Sequence, residues 1–155
     1  MHPENPPPPT PMTSILLVDD DGEDADLIRE AFGKVGLGAA FRHVRDGEAA
    51  INYLRGNDEY AQRDQFPLPT LVLLYLQLPK MSGMDVLSWM RKQPAFKTTI
   101  VVVLTGLQLD SEIQRAYLLG ANSVLFKGSS QAQLDKKVSL LKDYWLEANQ
   151  SGKAR

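Results

Sequence analysis

Three carboxylates in a row, Asp19, Asp20 and Asp21, follow the apolar run "ILLV". A hydroxyl, Thr105, follows "IVVVL", and a lysine, Lys127, follows "SVLF". Tyr75 and Gln77 sit within "LVLLYLQLPKMSG", residues 71–83. Adjacent carboxylates repel one another unless a cation sits between them, and hard oxygen donors suit Mg²⁺. A lysine and a hydroxyl facing such a cation would grip a phosphoryl group. The phenol at position 75 is the anomaly, because it puts a large aromatic among small polar groups.

These residues need a frame that brings them together, and the apolar pattern supplies one. "SILLVD" (14–19), "AAFRHV" (39–44), the run from Leu71, "TIVVVL" (99–104) and "SVLF" (123–126) read as strands, most of them too apolar to be half exposed. Helical spacing separates them. Leu27, Ile28, Ala31, Phe32 and Val35 form one stripe, and "DGEAAINYL" (46–54) opens a second helix. Val86, Leu87 and Met90 line a third, and Ile113, Ala116 and Tyr117 a fourth that Gly120 ends. Leu134, Val138, Leu141 and Trp145 are the inner stripe of a fifth. The polar stretch 55–69 is a connection. Five βα units in series predict an α/β fold, a doubly wound five-stranded parallel sheet with five helices. The strand order 2-1-3-4-5 opens a crevice at the carboxyl ends of the first and third strands, where the polar residues above would meet.

The chain has 155 residues, one domain's worth. Six of its ten prolines fall in the first 13 residues, so 1–12 is expected to be a disordered tail, 13–147 the folded domain and 148–155 a flexible end. A net charge of −2 provides no general attraction to nucleic acid or anionic membrane. With no cysteine, disulfides and thiolate metal sites are excluded. No apolar run is long enough to span a bilayer, and a cytoplasmic location is expected.

"ILLVDDD", "LVLLYLQLPKMSG", "VVVLTG" and "VLFKG", at these intervals, resemble the receiver domain of two-component response regulators, a flavodoxin-like fold. The stretch "YLRGNDEYAQRDQFPLPTLVLL" is similar, more narrowly, to the single-domain regulators of bacterial phytochrome histidine kinases. The resemblance implies Mg²⁺-binding acids at Asp19 and Asp20 and a metal-binding carbonyl at Gln77. It implies phosphoryl contacts from Thr105 and Lys127, and it puts the phosphoacceptor aspartate at Tyr75. It also implies a non-enzymatic role in phosphorelay signalling. Two further positions depart from the family. Gly128 follows Lys127 in place of a proline, and Val124 stands where an aromatic switch residue is common.

A phenol with a pKa of about 10 is neutral at pH 7, ligates metal poorly and cannot form an acyl phosphate. The expected function is therefore a pseudo-receiver that is not phosphorylated at Tyr75, works by protein–protein contact and binds Mg²⁺ weakly if at all. An ordinary Mg²⁺-dependent receiver carrying an Asp-to-Tyr change at position 75 fits the remaining residues too. A flavin or nucleotide binder of the same fold is the remote alternative, and "VDDDGED" would repel its phosphate. Lys127 is expected to pair with Asp20. The expected partners are a sensor histidine kinase, with a phytochrome as the candidate, and a second copy of the chain. Tyr117, Tyr144 and Trp145 near strand five and the last helix would supply the dimer contact.

Overall fold

The computed structural model describes residues 13–128 and 130–149. The Pro-rich segment 1–12 and residues 150–155 of the expected C-terminal tail lie outside the described residues. Strands β1 (Ile15–Val18), β2 (Phe41–Val44), β3 (Leu71–Tyr75), β4 (Ile100–Thr105) and β5 (Ser123–Phe126) form one parallel sheet. Their order is β2-β1-β3-β4-β5. The helices are α1 (Gly22–Lys34), α2 (Gly47–Arg55), α3 (Gly83–Lys92), α4 (Asp110–Leu118) and α5 (Gln131–Leu141).

Alternation along the central strands splits the core into two layers. Ile15, Leu17, Leu71, Leu73 and Val102 pack under α1 and α5, through Ile28, Phe32, Leu134 and Val138. Leu16, Val18, Val72, Leu74 and Val103 pack under α2, α3 and α4, through Leu54, Leu87, Met90 and Ala116. The register pairs Val18 with Leu74, Tyr75 with Leu104 and Thr105 with Phe126. Asp19, Tyr75, Thr105 and Lys127 therefore leave the sheet along one rim.

Side-chain caps set the starts of α1, α2, α3 and α5. Asp21 accepts from the Glu23 and Asp24 amides, Asp46 from Ala49, Ser82 from Asp85 and Ser130 from Gln133.

Three segments differ from the sequence expectation. Only Phe41–Val44 of the run 39–44 is strand, and residues 38–40 are a 3₁₀ turn. As an edge strand β2 does not alternate cleanly, because Arg42 donates to the Gln65 and Ala39 carbonyls and His43 lies against the Asp19 carbonyl. The polar stretch 55–69 packs around one cation. Arg63 donates to the carbonyls of Tyr53, Leu54 and Phe66, and the rings of Tyr60 and Phe66 close on Tyr53. Beyond Leu141 the last helix widens into π winding over Lys142–Ala148, one residue past the expected domain end. The wider turn brings Leu146 as well as Trp145 against the core.

Tyr53 gives a pH-dependent prediction. It is 1% exposed and its hydroxyl donates to the Pro67 carbonyl at 2.9 Å. Burial pushes this phenol above its usual range, and Arg42 and Arg63 offset that only in part. A phenol raised in the folded state costs no stability below the unfolded value of about 10 and drains stability as pH climbs past it. Tyr53→Phe should lose about 1 kcal/mol at pH 7. Denaturant titrations from pH 9 to pH 11 should then show a shallower fall than in the parent, and equal slopes would contradict the assignment.

Candidate functional site at the sheet rim

The rim is built from strand ends and the first turn of α1. Asp19 is 0% exposed. Its Oδ1 accepts from the Asp21 amide at 3.0 Å, and its Oδ2 lies 2.7 Å from Lys127 Nζ. Its carbonyl is 2.7 Å from His43 Nε2, so that ring nitrogen carries the proton. Lys127, 6% exposed, also meets Asp24 Oδ2 at 2.7 Å. The face of the Tyr75 ring covers it, with Nζ 3.9 Å from the ring centroid.

Burial pulls the Lys127 amine down, but hydrogen bonds and charge from Asp19 and Asp24 outweigh burial and hold it above the ordinary lysine range. The ammonium is thus the stable form. Burial pushes the Asp19 carboxyl up, and Lys127 counters this incompletely.

The expected pairing of Lys127 with Asp20 is corrected here. Asp20 is exposed, and among the described residues the ion pairs of Lys127 go to Asp19 and Asp24. Asp24 is one of the acids in the first turn of α1, where it suits the helix N-terminus. With Asp21 as cap, it falls at the third helical position, whose side chain turns back toward the strand ends.

Thr105 is buried at 4% exposure. Its hydroxyl donates to the Leu107 carbonyl at 2.7 Å and accepts from the Leu107 amide at 3.1 Å, which closes the turn after β4. The Tyr75 phenol reaches over that turn. A Cβ on Gly106 would stand 3.2 Å from its hydroxyl oxygen, so a residue without a side chain there leaves the phenol room. The Gln77 side chain is exposed. Gly128 has φ +71°, a conformation closed to proline, and this explains the departure after Lys127. Val124 donates its amide to the Tyr117 hydroxyl at 3.1 Å, so an α4 aromatic covers the edge of β5.

A five-unit parallel sheet with acids, a threonine and a lysine on one rim defines a receiver of the two-component type. The chain belongs to that family: the response regulator receiver domain matches residues 15–139. Among curated relatives, the probable methanogenesis regulatory protein FilR2 of Methanothrix harundinacea is 39% identical over 137 residues, 88% of this chain and 86% of FilR2. Response regulator Rcp1 of Synechocystis is 34% identical over 88% of this chain and 91% of Rcp1. The phosphorylated cyanobacterial phytochrome response regulator RcpA superposes with a TM-score of 0.83 at 33% identity, over 91% of this chain and 99% of RcpA. Mn²⁺-bound Rcp1 superposes at 0.80 and 32% identity, over 92% of this chain and 100% of that one. The chain is a two-component response regulator receiver, close to phytochrome-linked regulators.

Receivers hold Mg²⁺ or Mn²⁺ in their acidic pocket, and the residues here do not fit that ion as they stand. Asp19 Oδ1 accepts from the Asp21 amide, Asp19 Oδ2 is ion-paired with the Lys127 ammonium, and position 75 has no carboxylate. Among the described residues no three His, Asp or Glu side chains converge to hold a metal.

Proposed function

We propose that this chain is a pseudo-receiver of phytochrome-type two-component signalling, one that acts by protein–protein contact and takes no phosphoryl group at position 75. The observation that carries the reading is the phenol at the end of β3, lying over Lys127. A phenol oxygen is a poor nucleophile at neutral pH and has no acyl group to offer. The two side chains that would contact a phosphoryl group are also committed elsewhere, Lys127 to Asp19 and Asp24 and Thr105 to the Leu107 turn. Non-enzymatic action in the cytoplasm belongs to this reading. Similarity to RcpA and Rcp1 supports a phytochrome histidine kinase as partner. The test is binding to such a kinase with and without ATP. Equal affinity in both states supports the proposal, and affinity that depends on ATP contradicts it.

The second reading, an active receiver altered at position 75, is favoured by one observation. Asp19, Thr105 and Lys127 all remain on the rim. It is separated from the first by the Tyr75→Asp experiment described in the Discussion.

Self-association through α4, β5 and the last helix forms part of the proposal. Tyr117, Leu118, Phe126, Leu140 and Tyr144 are exposed there, Leu118 at 87%. Exposed apolar side chains along these three elements suit a contact surface. Light scattering should give a dimer, and Leu140→Asp with Tyr144→Asp should weaken it about thirtyfold or more. A parent chain that is monomeric at every concentration would remove this element.

A further inference from the structure

The acidic rim carries its own cation. We infer that the Lys127 ammonium replaces the divalent ion of the family, so that the rim is closed without Mg²⁺ or Mn²⁺. The inference takes from the pseudo-receiver reading only its view of the rim as unable to accept a phosphoryl group.

The ammonium lies between two carboxylates and a ring face. Asp19 Oδ2 and Asp24 Oδ2 each lie at 2.7 Å, and the Tyr75 π-face lies at 3.9 Å on a further side. A lysine left 6% exposed needs such pairing to stay charged. The partners come from the end of β1, the first turn of α1 and the end of β3, while Lys127 follows β5. One charge therefore ties four elements together across the sheet.

Tyr75 decides where the lysine goes. A carboxylate at position 75 would draw the ammonium toward β3 and free Asp19 Oδ2 for a metal. A ring face offers no such competitor, and Asp19 keeps the lysine. A divalent ion approaching Asp19 would then meet a fixed positive charge 2.7 Å from the oxygen it needs.

The probe is Mn²⁺, followed by the electron paramagnetic resonance signal of the free ion, with the full chain and no phosphodonor present. The parent should leave the millimolar Mn²⁺ signal unchanged. Lys127→Met, shown to be folded by circular dichroism, should bind Mn²⁺ about tenfold tighter or better. Adding Asp19→Asn to that variant should abolish the gain. Uptake by the parent equal to that of Lys127→Met would overturn the inference, and so would a folded Lys127→Met that gains nothing. If Lys127→Met does not fold, the parent's melting midpoint in EDTA and in Mn²⁺ decides. Equal midpoints support the internal cation, and a rise with Mn²⁺ refutes it. Phosphorylation of the parent would sink the pseudo-receiver reading without touching these results, so the two can fail separately.

Discussion

Tyr75→Asp is expected to turn an inert chain into a phosphoryl acceptor, with label appearing on residue 75 when a phosphorylated histidine kinase and Mg²⁺ are supplied. The gain should be on the order of a thousandfold or more, the scale on which nucleophile deletions act in reverse. The substitution supplies the missing carboxylate in a rim where Asp19, Thr105 and Lys127 already stand. It also removes the ring that covers Lys127 and gives the ammonium a second place to go. Metal dependence should appear with it. Mg²⁺ should raise the melting midpoint of the variant by roughly 4 to 8 °C at saturation and leave the parent unmoved. Label in the variant and none in the parent would show that the rest of the machinery is sound and that the phenol alone disables it. No label in either would place the defect more widely, in the Gly128 turn or in the locked Thr105 hydroxyl.

Gly83→Ala is expected to destabilise the domain by about 3 kcal/mol, the upper part of the range for an overpacked core. A Cβ there would stand 2.3 Å from the Tyr75 carbonyl oxygen and 2.8 Å from the Leu76 Cα. Both are backbone atoms, and the Gly83 amide donates to the Leu76 carbonyl at 2.9 Å, so neither side can give way cheaply. The same contact holds the start of α3 against the end of β3 and so fixes the strand end that carries Tyr75. Gly33→Ala is the control. It lies in α1 with nothing within 4 Å of the added carbon, and it should stabilise by about 0.5 to 1 kcal/mol. Urea titrations of both variants against the parent check the pair. A tolerated Gly83→Ala would contradict the close β3–α3 approach.

The parts of the fold legible in the sequence were those where burial is uniform. Strands β1, β3 and β4 are covered on both faces, so they read as unbroken apolar runs, and five such units in series leave few possible windings. The edge strand β2 was half legible, since Arg42 and His43 there serve neighbouring backbone instead of alternating in and out. Residues 55–69 looked like a bare connection because their organising contact, Arg63 on three carbonyls, depends on backbone positions that no spacing rule encodes. The π winding after Leu141 had no local signal. At the rim, the positions of Asp19, Tyr75, Thr105 and Lys127 followed from the strand ends. The lysine's choice between Asp20 and Asp24 did not, because it is set by the turn from Asp19 into α1. That turn leaves Asp20 in solvent and swings Asp24 inward.

Phosphotransfer to the unaltered chain is the most direct measurement of all. The chain is incubated with an autophosphorylated phytochrome histidine kinase and Mg²⁺, and its intact mass and phosphopeptides are read. The phenol at position 75 predicts an unmodified mass while the kinase keeps its phosphoryl group. A hydroxylamine-stable phosphate on Tyr75, or a hydroxylamine-labile one on Asp19 or Asp20, would contradict it.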